Sequence, residues 1–523
     1  MAQSLQKHRR RVVRLLQQSK KGMARVLFSR TGVVTALLLA NAGLLIAFHL
    51  RLQDLVPAQL LGTLMVLYLL NSEMEASAKI TWLVLVMLAP TVAAPLYFYV
   101  QSDLGHRVLK RRLNQIMTHS SSLLEQRPSA KEGLEQADPG EGALLHYLQR
   151  VGNFPVYDQC QLTYFPNGES KFEALKEQLE KAKRFIFLEY FIIDEGRMWG
   201  EVLDILERKA KKGVDVRLMY DGSCEFTTLT RDYPERLRKL GIQCKVFSPA
   251  TPFVTTTYNY RDHRKIAVID GQVAFTGGVN LADEYINEFP KYGHWKDAAI
   301  MVRGEAVRTF TLLFLQLWNL NIRGPEFTRY LMAHAPRFQE EKGYIIPYAD
   351  SPLDDKRVGE MVYMDILNRA NRYVHIMSPY LILDGELETA LCYAAQRGVE
   401  VSLILPAIPD KKAPYALAKT HYLRLLRSGV KIYEYTPGFV HSKVFVSDDC
   451  RGVVGTINLD YRSLYHHFEC AAYLYRCDCI ADMERDFRQT LEACVPVTEE
   501  MVHRRPLKQK LQGWLMKAIA PLF

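Results

Sequence analysis

The chain has 523 residues, enough for two or three domains, and its 48% hydrophobic content is spread unevenly. Nine cysteines, an odd number without regular spacing, exclude a disulfide framework and indicate a reducing compartment. The net charge of +10 suits nucleic acid or an anionic membrane surface, and where the charge lies selects between them.

Residues 1–30 carry nine Lys or Arg and no Asp or Glu, directly before an apolar run, which points to the membrane. Three apolar stretches follow within residues 31–105: Val33 to Leu50, Leu55 to Leu70 and Ile80 to Val100. The first and third approach the roughly 20 residues that a spanning helix needs, and the second is marginal. A cleaved signal peptide is the alternative for the first, but the long basic prefix and the lack of a clear small-residue cleavage site favour an uncleaved anchor. Arg107, Lys110, Arg111 and Arg112 follow the third stretch, so both flanks prefer the cytoplasm. That requires an even number of crossings. The reading is a multi-pass protein of the cell membrane with two full crossings, either the short second stretch or the third, with Pro90 and Pro95 inside it, interfacial or re-entrant, and a cytoplasmic catalytic region.

Residues 106–145 are polar and mixed in charge and read as a juxtamembrane helix and linker. From there the spacing predicts a helix over Ser170 to Lys183, a buried strand over Phe185 to Ile193, a helix through Leu203 and Leu206, and a strand over Val214 to Tyr220. Such alternation predicts a mostly parallel sheet flanked by helices, within a first half placed at 146–345. It leads to His263-Arg264-Lys265-Ile266-Ala267-Val268-Ile269-Asp270, followed by Thr276-Gly277-Gly278-Val279-Asn280.

A second half, 346–500, repeats the order. Helices are predicted over Met361 to Asn368, Leu387 to Gln396 and Tyr415 to Arg427, with strands over Tyr373 to Met377, Val399 to Leu405 and Val430 to Tyr435. It leads to His441-Ser442-Lys443-Val444-Phe445-Val446-Ser447-Asp448, followed by Gly455-Thr456-Ile457-Asn458. Both motifs read H-x-K-x-x-x-x-D, and their histidines lie 178 residues apart. Chance supplies roughly a few hundredths of such a match per chain, so the pair is a duplicated unit. Cys477-Asp478-Cys479 is the one close cysteine pair. Without a second pair or nearby His it makes no zinc set, and no metal or cofactor is expected.

On a strand, His263 and Lys265 share a face, as do His441 and Lys443. Two such strands meeting at a pseudo-twofold would gather two imidazoles and two ammonium groups around one phosphate. One imidazole attacks phosphorus, the other protonates the leaving oxygen, and the cations stabilise charge on the remaining oxygens. The last segment, 501–523, carries Arg504, Arg505, Lys508, Lys510 and Lys517 with Leu511, Trp514, Leu515 and Ile519 at helical spacing. This predicts a basic amphipathic helix on an anionic leaflet, with a core helix as the alternative.

The paired motifs resemble the phospholipase D superfamily. The wider sequence resembles the bacterial cardiolipin synthases, through residues 276–285, Trp295-Lys296-Asp297, Ser378-Pro379-Tyr380, Tyr433-Glu434-Tyr435, residues 455–463 and Phe468-Glu469. The resemblance implies an α/β fold in which N-terminal transmembrane helices precede two pseudo-symmetric α/β/α halves sharing one site. It implies a metal-independent phosphatidyl transfer between two phosphatidylglycerols through a phosphohistidine, with His263 as preferred nucleophile and His441 as general acid, later base. Lys265, Lys443, Asn280 and Asn458 would hold phosphate oxygens, with Asp297 orienting His441 and Glu469 orienting His263. Asp270 and Asp448, grouped with the catalytic motifs, sit at strand ends where bracing is favoured over reaction. Departures from the family pattern fall at Asp221-Gly222-Ser223-Cys224 and at Ile457. The implied partners are phosphatidylglycerol and anionic membrane lipids rather than nucleic acid, and a dimer is compatible with them. The competing readings are a phospholipid hydrolase or a transferase to another alcohol, a nuclease, which the membrane segments and the extended match disfavour, and a catalytically silent scaffold, which two intact motifs disfavour.

Overall fold

The computed structural model describes residues 55–101, 104–249 and 260–520, apart from 321, 323, 325, 333, 334 and 355. The basic prefix and the apolar stretch Val33 to Leu50 lie outside the described residues. The chain divides into an N-terminal unit ending at Gly105 and a second unit that begins at His106.

The N-terminal unit contains helices Leu55–Leu70, Ala76–Leu88 and Pro90–Gln101. They bury Met65, Leu69, Trp82, Val86, Ala93, Ala94 and Tyr97 against one another and leave Leu64, Leu67, Ile80, Met87 and Leu88 exposed. The stretch Ile80 to Val100, which approaches spanning length but contains Pro90 and Pro95, is broken at Ala89 (φ −152°, ψ 63°). Pro90 causes the break: it disfavours a helical conformation at the residue before it, and the chain restarts with Pro90 as the first helical residue. Among the described residues no helix is long and apolar enough to cross a membrane.

Among the described residues all the strands lie in the second unit. The first half supplies β1 (Gln161–Phe165), β2 (Phe185–Tyr190), β3 (Asp215–Asp221), β4 (Gln243–Phe247), β5 (Arg261–Asp262), β6 (Lys265–Ile269), β7 (Val273–Gly277), β8 (His294–Lys296) and β9 (Ala299–Arg303). The second supplies β10 (Tyr344–Asp350), β11 (Tyr373–Met377), β12 (Glu400–Pro406), β13 (Lys431–Tyr435), β14 (Gly438–Val440), β15 (Val444–Ser447), β16 (Arg451–Gly455), β17 (His467–Tyr475) and β18 (Cys494–Pro496). One sheet runs β1-β9-β7-β6-β2-β3-β4 and the other β10-β17-β16-β15-β11-β12-β13-β18, the same order strand for strand until β18 is added. The fully buried helix face of Val307–Trp318 packs on β2, β6 and β7 of its own half and on β10 of the other.

The expected mostly parallel sheet is corrected to a mixed one. β2, β3 and β4 pair in parallel, as do β11, β12 and β13, but each motif strand is antiparallel to both neighbours. The reason lies at the end of each motif. Asp270 and Gly271 both have positive φ, 54° and 68°, and turn β6 back on itself as β7; Asp448 and Asp449, at 55° and 59°, do the same for β15 and β16. Two consecutive positive-φ residues make the turn whose twist suits a hairpin, and Asp tolerates that region better than most residues.

Residues 106–145, read as a juxtamembrane helix and linker, contain much of the helices Leu104–Ser121, Pro128–Ala137 and Pro139–Gly152. The last is fastened to the second sheet by buried Glu141, which accepts from Arg451 Nε and Tyr473 Oη, both at 2.7 Å, and pairs with Arg369 at 3.0 Å. A carboxylate taken out of water needs such partners, and a sequence window has no way to display them.

Candidate active site

Two short strands exchange partners between the halves. β5, leading into the first motif, pairs with the start of β17, setting Asp262 beside Phe468. β14, leading into the second motif, pairs with β8, setting Val440 beside Lys296. His263 N therefore donates to Phe468 O at 2.9 Å and His441 N to Lys296 O at 2.7 Å. One residue further on, each imidazole meets a carboxylate from the opposite half. His263 Nδ1 lies 2.9 and 3.0 Å from the two oxygens of Glu469, and His441 Nδ1 lies 2.7 Å from Asp297 Oδ2.

All four groups are buried. A carboxylate only accepts, so the proton in each contact sits on Nδ1 and the Nε2 lone pair is left for chemistry. Lys443 Nζ also lies 2.9 Å from His441 Nδ1, but the ammonium donates to the His441 carbonyl, and the shorter charge-assisted contact with Asp297 takes the ring proton. Lys265 Nζ donates to the His263 carbonyl at 2.5 Å.

Burial governs the charges. It pushes Lys265 down to about 8 and Lys443 to about 7, against the pull of Glu469 and Asp297 respectively. Burial, then Lys265 and Lys443, hold His263 well below the usual imidazole range. Burial and Lys443 bring His441 down to about 4 although Asp297 opposes them. Burial would raise Asp297, but His441, Lys443 and the Ala298 amide hold it below the usual carboxylate range. Both imidazoles are thus neutral at pH 7 and able to attack an electrophile.

The remaining residues divide by position. Asn280 Oδ1 accepts from Ile192 N at 3.0 Å and its Nδ2 donates to Tyr285 Oη at 2.7 Å, leaving one N–H of that amide for a ligand. Asn458 Oδ1 is buried and has no hydrogen-bond partner among the described residues. Asp270 and Asp448 sit at the far ends of the motif strands. Asp270 accepts from the amides of Lys183, Arg184 and Phe185, and Asp448 from those of Asn371, Arg372 and Tyr373. Each holds the start of the strand next to its motif. Asp221, in the first departing loop, accepts from the amides of Ser223 and Asp262 and so braces the approach to His263. Ile457 gives its carbonyl to Tyr363 Oη at 2.9 Å.

Several neighbours escaped the sequence reading. Thr456 Oγ1 donates to Glu469 Oε2, whereas Gly278, at the matching place in the first half, has no room for a side chain: a Cβ there would lie 2.0 Å from Asp297 Oδ1. His467 lies 5.3 Å from the His263 ring, and its Nδ1 is 3.6 Å from Glu469 Oε1. Both of its ring nitrogens are buried without a hydrogen-bond partner among the described residues. Trp295 stands at the same remove from Asp297, 5.2 Å from the His441 ring. The available signal was spacing: His467 precedes Glu469 by two on β17 and so shares its face, and Trp295 precedes Asp297 by two at the end of β8. His263, His467 and Glu469 place ligand atoms within 4.8 Å of one another, but the cations Lys265, Lys443 and Arg462 that depress His263 also oppose a dication there.

A family model described as "Cardiolipin synthase, PLD-like domain" matches residues 175–318 and 363–491, which take in both motifs and both orienting acids. An uncharacterized protein of Streptococcus mutans serotype c is 54% identical over 459 residues, covering 87% of this chain and 99% of its own length. A cardiolipin synthase of Geobacillus sp. (strain WCH70) is 34% identical over 493 residues, covering 91% of this chain and 97% of its own length. Among solved structures, phosphatidylserine synthase of Haemophilus influenzae Rd KW20 superposes with a TM-score of 0.56 at 14% identity, covering 73% of this chain and 98% of that one, a likeness of fold.

Proposed function

Since the chain belongs to the family of cardiolipin synthases with a PLD-like domain, we propose that it joins two phosphatidylglycerols into cardiolipin and glycerol through a phosphohistidine at the site between its halves. His263 Nε2 attacks phosphorus of the first lipid, forming a P–N bond as the P–O bond to glycerol breaks. His441 Nε2 supplies the proton that glycerol leaves with. The free hydroxyl of a second phosphatidylglycerol then gives its proton to His441 and attacks the same phosphorus, forming a P–O bond as the P–N bond breaks. Protons and charge balance over the cycle.

The observation that carries this reading is the crossed pairing of two imidazoles with two buried carboxylates. It fixes both tautomers and places both Nε2 lone pairs on offer. Burial and Lys443 keep His441 neutral at pH 7, so the arriving phosphate anion must raise its pKa enough to load the acid. Lys265, Lys443 and the amides of Asn280 and Asn458 supply donors for the non-bridging oxygens. Asp270 and Asp448 act on the scaffold, through the backbone they hold.

The same reading puts the enzyme at the cell membrane as a multi-pass protein with its catalytic unit in the cytoplasm. Exposed leucines on helix Leu55–Leu70 and basic residues at 107–112 support it. Reporter fusions before Leu55 and after Ser121 test the topology, and a periplasmic-type signal at the second would overturn it.

Product analysis tests the activity. Purified protein receives phosphatidylglycerol alone, then with phosphatidylethanolamine. Cardiolipin plus glycerol from the first mixture is the expected result. Phosphatidic acid alone would make water the acceptor and the protein a hydrolase, and a product seen only in the second mixture would change the lipid pair.

A further inference from the structure

Among the described residues the helix Leu507–Ile519 is docked by one face, against helix Lys412–Arg427. Gly513 approaches helix Lys412–Arg427 so closely that an added Cβ would lie 2.6 Å from the carbonyl oxygen of Ala416. Met516 and Ala520 pack with Leu417 and Tyr461. With 3.6 residues per turn these three positions share an arc of about 60°. Across the helix lie Leu507, Leu511, Trp514 and Leu515, exposed by 73, 61, 61 and 65%. They occupy an arc of about 100°, with Lys510 and Lys517 bordering one edge and Lys508 the other.

We propose that this stripe is a docking face for an anionic bilayer, with Leu507, Leu511, Trp514 and Leu515 in the headgroup–acyl boundary and the three lysines against lipid phosphates. The choice of occupant rests on charge and chemistry. The helix has no acidic residue, its apolar stripe is edged by cations on both sides, and an exposed Trp is at home where one ring edge is wet and the other apolar. The docked side points inward to the chemistry. Tyr461, which Met516 and Ala520 cover, follows Asn458 by three residues and precedes Arg462, an exposed cation that depresses His263. A bilayer held on the outer stripe is therefore separated by one helix diameter, about 10 Å, from the element that carries the second motif's asparagine turn. This rests on the phosphatidyl-transfer reading only in its activity readout.

The test uses full-length protein reconstituted in vesicles of phosphatidylglycerol and phosphatidylcholine with brominated acyl chains. Tryptophan emission is expected to be quenched, with a component that disappears in Trp514→Phe. The double variant Leu511→Glu/Leu515→Glu should keep its unfolding midpoint, lose about tenfold or more in turnover of vesicle lipid, and stay within about twofold on monomeric short-chain phosphatidylglycerol. Equal quenching in wild type and Trp514→Phe, or undiminished vesicle turnover in the double variant, would overturn the proposal. A wild-type oligomer in detergent that the double variant dissociates would also overturn it, by assigning the face to a second copy. Failure of the transfer reading looks different: wild type makes no cardiolipin from either lipid while the Trp514 quenching persists.

Discussion

Around His441 the walls are aromatic, with the rings of Trp295, Tyr285 and Phe439 at 5.2, 5.5 and 5.8 Å. Around His263 they are Phe191 at 4.9 Å and a second imidazole, His467, at 5.3 Å. The anchoring carboxylates differ in the same sense. Asp297 reaches His441 past a bare Gly278 and takes the Ala298 amide on its other oxygen at 2.8 Å, while Glu469, one methylene longer, takes the Thr456 hydroxyl. The duplicated part is the imidazole–carboxylate contact, which fixes the tautomer of each histidine. The walls differ, as they would if the proposed two-step transfer asks one histidine to carry the phosphoryl group and the other to move protons.

The largest test of that comparison removes the shared part. His263→Ala and His441→Ala should each abolish turnover, a loss on the order of 10³-fold or more, and the double variant should be no worse than either. A single variant with near-normal turnover would show that the two rings do not serve one site. The next test contrasts the two anchors. Gly278→Ala forces a Cβ against Asp297 Oδ1 and should cost on the order of 10²-fold in kcat, whereas Thr456→Ala removes one donor from Glu469 and should cost about tenfold. Equal losses in steady-state assays would mean that the anchors are interchangeable.

Acid stability probes the same burial. His263 and His441 have folded pKa values below the unfolded value of about 6.5, so as pH falls from there toward about 4 the unfolded chain binds protons that the folded one refuses. The unfolding midpoint should therefore drop through that window, and His441→Gln should flatten the slope in a thermal series from pH 7.5 to 4.5. The smallest effect is expected at His467. Its two buried nitrogens have no hydrogen-bond partner among the described residues, so His467→Phe should change kcat by less than about tenfold and stabilise the fold by about 1 kcal/mol. Destabilisation by that variant, measured by denaturant titration, would show that the imidazole holds something its neighbours need.

Local pattern carried much of the fold. The strand Tyr373–Met377 has the bounds its apolar run predicts, and the helix placed at Leu387 to Gln396 starts two residues earlier because Asp384 caps the Leu387 amide at 2.8 Å. The mixed sheet was not read, although Asp270-Gly271 is a hairpin signal, because the alternation of helices and strands outweighed it. Part of 106–145 reads as a linker beside one juxtamembrane helix because the anchor of its last helix, Glu141, lies 310 residues from Arg451 in sequence.

By itself the sequence determined the duplicated H-x-K-x-x-x-x-D chemistry, the 178-residue repeat and the family, because each is a statement about residue types at short or regular spacing. Tertiary structure decided how β5 and β14 cross to the opposite half, and with them the 2.9 Å and 2.7 Å contacts between each histidine and its acid. Glu469 stands 206 residues from His263 and Asp297 144 from His441. Contacts of that span arise from strand pairing and burial, which act through space, and the order of residues along the chain records them only indirectly.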